Sequence, residues 1–300
     1  MPSTPSAWQT LRQLGPTLWL LATSNALVSC VSFSPGPGGR EVRNLTYAEP
    51  GGRKLRLDLY LPTTPATPQG SPVIVFIHPG GWRSGGRSQV KLVPGLVGST
   101  GCAVASIQHR LSDAAPWPAQ IEDARAAVRW LRVHAADYGL DPRRVGVIGF
   151  SSGGQMAALL GTRGGSPDNG GNLPGPAESV QAVCDVSGPT DFSRTPDSLL
   201  GKLALLGLFH GKPEDKPDLA RTADPVNYVQ GGEPPFLIIH GDADPFVPPG
   251  DSERLAAALR AKGSPVRHIV VRGAGHIPHG PPQQEAIAAF FREHLREGRR

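Results

Sequence analysis

Residues 144–160 read R-V-G-V-I-G-F-S-S-G-G-Q-M-A-A-L-L, and few folds can hold such a stretch. A β-rich run (Val145, Val147, Ile148) passes through Gly149-Phe150-Ser151-Ser152-Gly153 straight into a helix of small residues. A G-x-S-x-G turn between a strand and a helix is the nucleophile elbow. The spacing has a steric reason. Ser151 must take a positive φ to push its Oγ out over the sheet, and a glycine two residues to either side lets strand and helix pass closely. The amide of Ser152, at the start of the helix, then points at the oxygen of any acyl group that Ser151 attacks. The competing reading is a tight Gly/Ser turn without chemistry, and only partners elsewhere in the chain decide between the two.

From residue 41 onward strand and helix signals alternate. Leu55, Leu57, Leu59 and Leu61 alternate with Lys54, Arg56, Asp58 and Tyr60, a half-buried strand of period two. Residues 72–77, 102–107, 180–186, 235–240 and 266–272 are short apolar runs, most of them unbroken, as expected of strands covered on both faces. Residues 118–138 place Ile121, Ala124, Val128, Leu131 and Ala135 on one helical face and Glu122, Arg125, Arg129 and Arg132 on the other. Residues 252–262 and 283–297 are also helical by spacing. This alternation predicts a doubly wound, mostly parallel α/β sheet in one domain over residues 41–300. Cys102 and Cys184 then lie with two strands between them, about 14 Å apart at the usual strand spacing, too far for a disulfide.

Two segments break the rhythm. Residues 162–178 are rich in Gly, Pro and Asn and read as a loop. Residues 191–228 carry an apolar helical patch including Leu205 and Phe209, followed by a polar, Pro-rich stretch. An insertion after a strand of such a sheet sits over the carboxyl edge, where ligands bind. It reads as a small lid, with Trp82, Leu205 and Phe209 as candidate pocket residues; a packing helix unrelated to substrate is the alternative.

The first forty residues stand outside this pattern. Residues 14–28 are mostly apolar, follow a single cation at Arg12 and end in small residues, like a signal-peptide core. Residues 1–29 are expected to be a leader. Its end, Leu27-Val28-Ser29-Cys30, looks like a bacterial lipobox in which Cys30 becomes the lipidated first residue; ordinary cleavage after Ala26 and an uncleaved leader are the other readings. Residues 30–40 then form a tether, and the mature protein is exported, at the outer face of a bacterial membrane if lipidated and secreted otherwise. The formal net charge of +5 is scattered, which argues against a nucleic-acid partner.

The partners of Ser151 come from three strand ends. His78-Pro79-Gly80-Gly81-Trp82 follows residues 72–77. Pro79 has no N–H, so the amides of Gly80 and Gly81 would join that of Ser152 in an oxyanion hole. His276 follows residues 266–272 in G-A-G-H, with His279 as understudy. His109 and His240 end strands and read as structural; His134 and His294 sit on helices, and His210 and His268 have no supporting context. Both Asp242 and Asp244, in H-G-D-A-D-P-F-V-P, could supply an orienting carboxylate.

These motifs resemble the α/β-hydrolase-fold esterases, in the group around hormone-sensitive-lipase-like and bacterial feruloyl/acetyl esterases. The segments that carry the likeness are H-P-G-G-W, H-R-L-S-D-A-A-P-W-P-A-Q-I-E-D-A-R-A-A-V-R-W-L, G-F-S-S-G-G, S-G-P-T-D, P-P-F-L-I-I-H-G-D-A-D-P-F-V-P and G-A-G-H, between about residues 55 and 276. The order Ser…Asp…His is that of the α/β-hydrolase triad. The resemblance implies an eight-stranded sheet and puts the acid at Asp244. The chain departs from the lipase-like branch in having one strand pair and no sizeable cap before His78, and Pro79 stands where a glycine is usual. The resemblance implies a serine esterase acting on a small-molecule ester through an acyl-enzyme, with a short acyl or an aryl or acetyl ester as substrate and without metal or organic cofactor. Amide hydrolysis on the same triad, as a formamidase or small peptidase, is the alternative within enzymes. A non-catalytic binding protein of the same fold is the alternative outside them, and the intact Ser/Asp/His set argues against it.

Overall fold

A computed structural model describes residues 39–92, 95–163, 178–193, 196 and 198–296. The leader, Cys30, nearly all of the tether and most of the loop expected over 162–178 lie outside the described residues. Strands β1 (Arg40–Ala48), β2 (Leu55–Leu61), β3 (Ser71–Ile77), β4 (Ala103–Ile107), β5 (Leu140–Phe150), β6 (Ala182–Val186), β7 (Phe236–Gly241) and β8 (Val266–Val271) form one sheet. Their order is β1-β2-β4-β3-β5-β6-β7-β8. β2 runs antiparallel to β1 and β4, and every later neighbour pair is parallel.

Helices α1 (Leu96–Thr100), α2 (Ala119–Val133), α3 (Ala135–Tyr138), α4 (Ser152–Arg163), α5 (Leu199–Phe209), α6 (Pro217–Ala223), α7 (Pro249–Ala261) and α8 (Pro281–Phe291) connect the strands. Every residue of β3, β4, β6 and β7 is buried, which is why those segments read as unbroken apolar runs. β2 keeps its alternation at Leu55, Leu57 and Leu59, all fully buried, but Tyr60 also turns inward and joins the core. As expected, Cys102 and Cys184 are free, buried thiols separated by β3 and β5.

The structure differs from the sequence reading at several points, each for a physical reason. β5 begins at Leu140, ahead of the β-rich run at Val145, because the Asp141-Pro142-Arg143 stretch is held extended. The buried Asp141 carboxylate takes the Arg143 amide at 3.0 Å and ion-pairs with Arg143 and Arg144. α7 and α8 start at Pro249 and Pro281, a few residues earlier than their spacing suggests, since proline suits a first helical turn. The expected polar face of α2 is only partly polar. Arg125 is nearly buried and, with Arg129, pairs with Glu178 across the helix. Burial pushes the Arg125 pKa down to about 10.

Candidate active site

Ser151 takes φ 54° at the end of β5, with its N–H on the Val186 carbonyl at 2.8 Å. The flanking glycines are sterically required. A Cβ on Gly149 would lie 2.0 Å from the Gly153 carbonyl oxygen, and one on Gly153 would lie 2.2 Å from that of Ile77. No side chain at either position could coexist with this passage of strand into helix.

His276 arrives from the loop after β8. Its Nε2 is 2.8 Å from Ser151 Oγ and its Nδ1 is 2.7 Å from Asp244 Oδ2. That loop crosses β7 so closely that a Cβ on Gly241 would lie 2.2 Å from the Ala274 oxygen. The Phe246 ring stands edge-on to the imidazole, with centroids 5.3 Å apart. A carboxylate can only accept, so Nδ1 carries the proton and Nε2 offers its lone pair to the Ser151 hydroxyl.

Asp244 is fully buried at its side chain. Oδ1 accepts the amides of Phe246 and Val247 at 2.8 and 3.0 Å, and Oδ2 accepts His276 and, at 3.0 Å, His240 Nε2. Burial works to raise its pKa, but the bonds from the two histidines, the charge of His276 and the Phe246 amide outweigh it. The carboxyl is held well below the usual carboxylate range. Asp242, the other candidate, instead accepts the Gly273 amide at 2.6 Å and braces the turn after β8. His279 stays exposed, with Nδ1 bonded to the Ile277 carbonyl at 2.7 Å.

After β3 the chain turns through His78, Pro79, Gly80 (φ 133°), Gly81 (φ 58°) and Trp82 (φ 57°). A Cβ on Gly80 would fall 2.1 Å from the Ser84 oxygen. The Gly80 carbonyl takes the amides of Arg83 and Ser84, closing the turn, while the amides of Gly80, Gly81 and Ser152 donate to no group among the described residues.

The residues expected to wall a pocket are closely packed. Trp82, Leu205 and Phe209 are 3%, 4% and 0% exposed. Trp82 stacks edge-on with Phe192, and Phe192 with Phe209, at 5.9 and 6.1 Å. The aromatic residues of the insertion thus form a packed seam against the loop after β3. Gln155 of α4 locks that seam. It accepts the Trp82 indole N–H at 3.1 Å and donates to the Ala223 carbonyl at 2.6 Å.

Sequence reasoning missed two features. His78 and His109 stack with centroids 4.3 Å apart, each with Nδ1 on a neighbouring carbonyl. Burial drives their pKa values down to about 3 and about 4, the first helped by its neighbour. The contact of His240 with Asp244 was also missed. The signal lay in each histidine's place at a strand end, which does not say where the ring points.

The BD-FAE family model matches residues 57–259. Among curated proteins the chain is similar to "Esterase LipQ" of Mycobacterium tuberculosis, 31% identical over 77% of this chain and 56% of that one. It is similar as well to "Esterase LipC" of the same organism, 32% identical over 78% and 60%. The chain therefore spans somewhat over half the length of these relatives. Among solved structures, one described as "Truncated form of carbohydrate esterase from gut microbiota" superposes with a TM-score of 0.75, 32% identical, covering 85% of this chain and 96% of that one. The propionate-bound Est2 esterase of Thermogutta terrifontis has a TM-score of 0.66 at 24% identity, covering 85% and 91%, and shares the fold.

Proposed function

This chain belongs to the BD-FAE family of α/β-hydrolases, and from that premise we propose that it is a serine esterase, cleaving carboxylic esters through an acyl-enzyme. The observation that carries the reading is the unbroken hydrogen-bonded line from Ser151 through His276 to Asp244. His276 Nε2 takes the Ser151 proton as Oγ attacks the ester carbonyl carbon. The amides of Gly80, Gly81 and Ser152 receive the resulting oxyanion; losing one such donor typically costs about 10²–10³ in rate. Collapse of the tetrahedral intermediate expels the alcohol, which takes its proton from His276. Water then repeats the attack on the acyl-enzyme, with His276 again as base, and releases the acid. Asp244 keeps the imidazole in the productive tautomer and steadies its charge throughout.

The substrate is read as a short-chain acyl, an acetyl or an aryl ester. Support comes from the solved structure described as a carbohydrate esterase, which makes carbohydrate esters the first natural esters to try. The test is a hydrolysis panel over acyl length and alcohol type, run beside labelling by a serine-directed phosphonate and peptide mapping. Short esters should be cleaved and the adduct should lie on Ser151; an adduct on Ser152, or hydrolysis without any adduct, would contradict the reading.

The lid function of residues 191–228 and export with lipidation at Cys30 are further parts of this proposal. The second rests on the L-V-S-C ending of the leader. Changing Cys30→Ser should release the protein from membranes into the soluble fraction; a wild type already soluble and unlipidated would refute it.

A further inference from the structure

Asp244 answers to two imidazoles, and the catalytic line uses only one. His240, in β7, is fully buried, and its Nε2 lies 3.0 Å from Asp244 Oδ2 and 3.1 Å from the Val247 carbonyl oxygen. A carbonyl can only accept, and the carboxyl held well below its usual range is an anion that also only accepts. Nε2 therefore carries a proton and donates it. On the other side of the ring, Nδ1 meets Ser252 Oγ of α7. A hydroxyl either gives or takes a hydrogen bond, so the donation from Nε2 holds whether His240 is neutral or charged.

The bonding at Asp244 is then complete. Oδ1 has two amides and Oδ2 has two imidazole N–H groups. The amides alone would hold one oxygen of the carboxylate. The bond from His240 prevents the other from swinging away from His276, and it draws off part of the negative charge that His276 would otherwise feel in full.

We propose that His240 is a positioning residue of this site, its Nε2–H holding the Asp244 carboxylate in the orientation that His276 requires. The inference rests on the triad reading above. Other ionisable groups face the ring. Asp185 acts on it from β6 and His268 from β8, and Asp251, at the start of α7, acts on Asp185. None of these supplies a donor to Asp244. Asp185 Oδ1 takes the Gly188 amide at 2.9 Å, and its Oδ2 is buried without a partner among the described residues.

The test compares His240→Leu, His240→Gln and Ser252→Ala in the full chain, measuring kcat, KM and the acid limb of kcat against pH on a chromogenic short-chain ester. Gln places an amide N–H near the lost Nε2–H; Leu places none. His240→Leu is expected to lower kcat by about 10- to 100-fold with KM little changed, the scale of a misplaced catalytic group. Its acid limb should move from the wild-type position, because the carboxylate that steadies the charge of His276 has lost both a donor and its fixed orientation. His240→Gln should recover most of both. Should the leucine variant fail to fold, Ser252→Ala, which loosens the ring from its far side, should show a smaller loss and a shifted limb. If both folded substitutions of His240 lower stability equally while kcat and the acid limb stay at wild-type values, His240 is structural only and the proposal is overturned. An unmoved limb in Ser252→Ala, when that is the variant available, overturns it too. A wild type that cleaves no ester in the panel sinks the triad reading instead, so the two failures are distinct.

Discussion

At the scale of single residues, the choice between Asp242 and Asp244 shows how little of a site is chemistry and how much is direction. Both carboxylates follow β7 within three residues, and the one local sign that separates them is Pro245, which keeps the chain extended at Asp244 while Asp242 is free to bond the turn. The structure separates them by what each oxygen meets: Asp242 the amide of Gly273, Asp244 the ring of His276. Asp244→Asn should leave the fold in place but favour the wrong imidazole tautomer, with a loss of up to about 10⁴ in kcat. Asp242→Asn should lower the melting temperature modestly and leave kcat near wild type. Kinetics and thermal melts of both variants check this, and a collapse of kcat in Asp242→Asn alone would reverse the assignment. Ser151, His276 and the glycines around them were legible because their constraint is local and steric: Gly149 and Gly153 admit no Cβ. His240 was not, since a histidine at a strand end gives no sign of which neighbour its Nε2 will meet.

Among the elements, the βα alternation was readable because buried parallel strands must be apolar on both faces, and β3, β4, β6 and β7 are buried throughout. Less readable was the insertion between β6 and β7. Its hydrophobic residues suggest a pocket wall as readily as a packing surface, and in the structure Phe209 closes an aromatic seam reaching Trp82 through Phe192. Gln155 ties three elements together at that seam: the loop after β3, the helix that follows Ser151, and the end of α6. Replacing it as Gln155→Leu would leave the Trp82 indole N–H and the Ala223 carbonyl buried without partners, at a cost of about 1–3 kcal/mol for each. The expected outcome is a lower melting temperature together with reduced kcat, since the loop carrying Gly80 and Gly81 loses its brace. A stable variant with normal kcat would show that the loop is held by packing alone.

For the whole molecule, the buried stack of His78 and His109 makes the fold sensitive to acid. Both pKa values are depressed on folding, from about 6.5 to about 3 and about 4, so the unfolded chain binds protons that the folded chain refuses. The stability at stake is fully present above about pH 6.5 and drains away as pH falls toward 3–4. Asp185 works the other way. Burial raises its pKa to about 7, so folding is favoured by its protonation as pH falls through the same range, and it offsets part of the loss. Burial raises Asp123, Asp224 and Asp251 in the same direction as Asp185, so the histidine contribution is read as a difference: between pH 6.5 and 4 the wild type should lose more melting temperature than His109→Phe. His109→Phe keeps a ring in the stack, and a variant whose melting temperature follows pH as the wild type's does over the interval would contradict this. All of this serves a fold that brings the ends of β3, β5, β7 and β8 around one serine. The most direct test of that arrangement is kcat on a chromogenic short-chain ester for Ser151→Ala beside the wild type: a loss of about 10⁴–10⁶ is expected, and a variant retaining more than about a tenth of wild-type activity would contradict the assignment of Ser151 as the nucleophile.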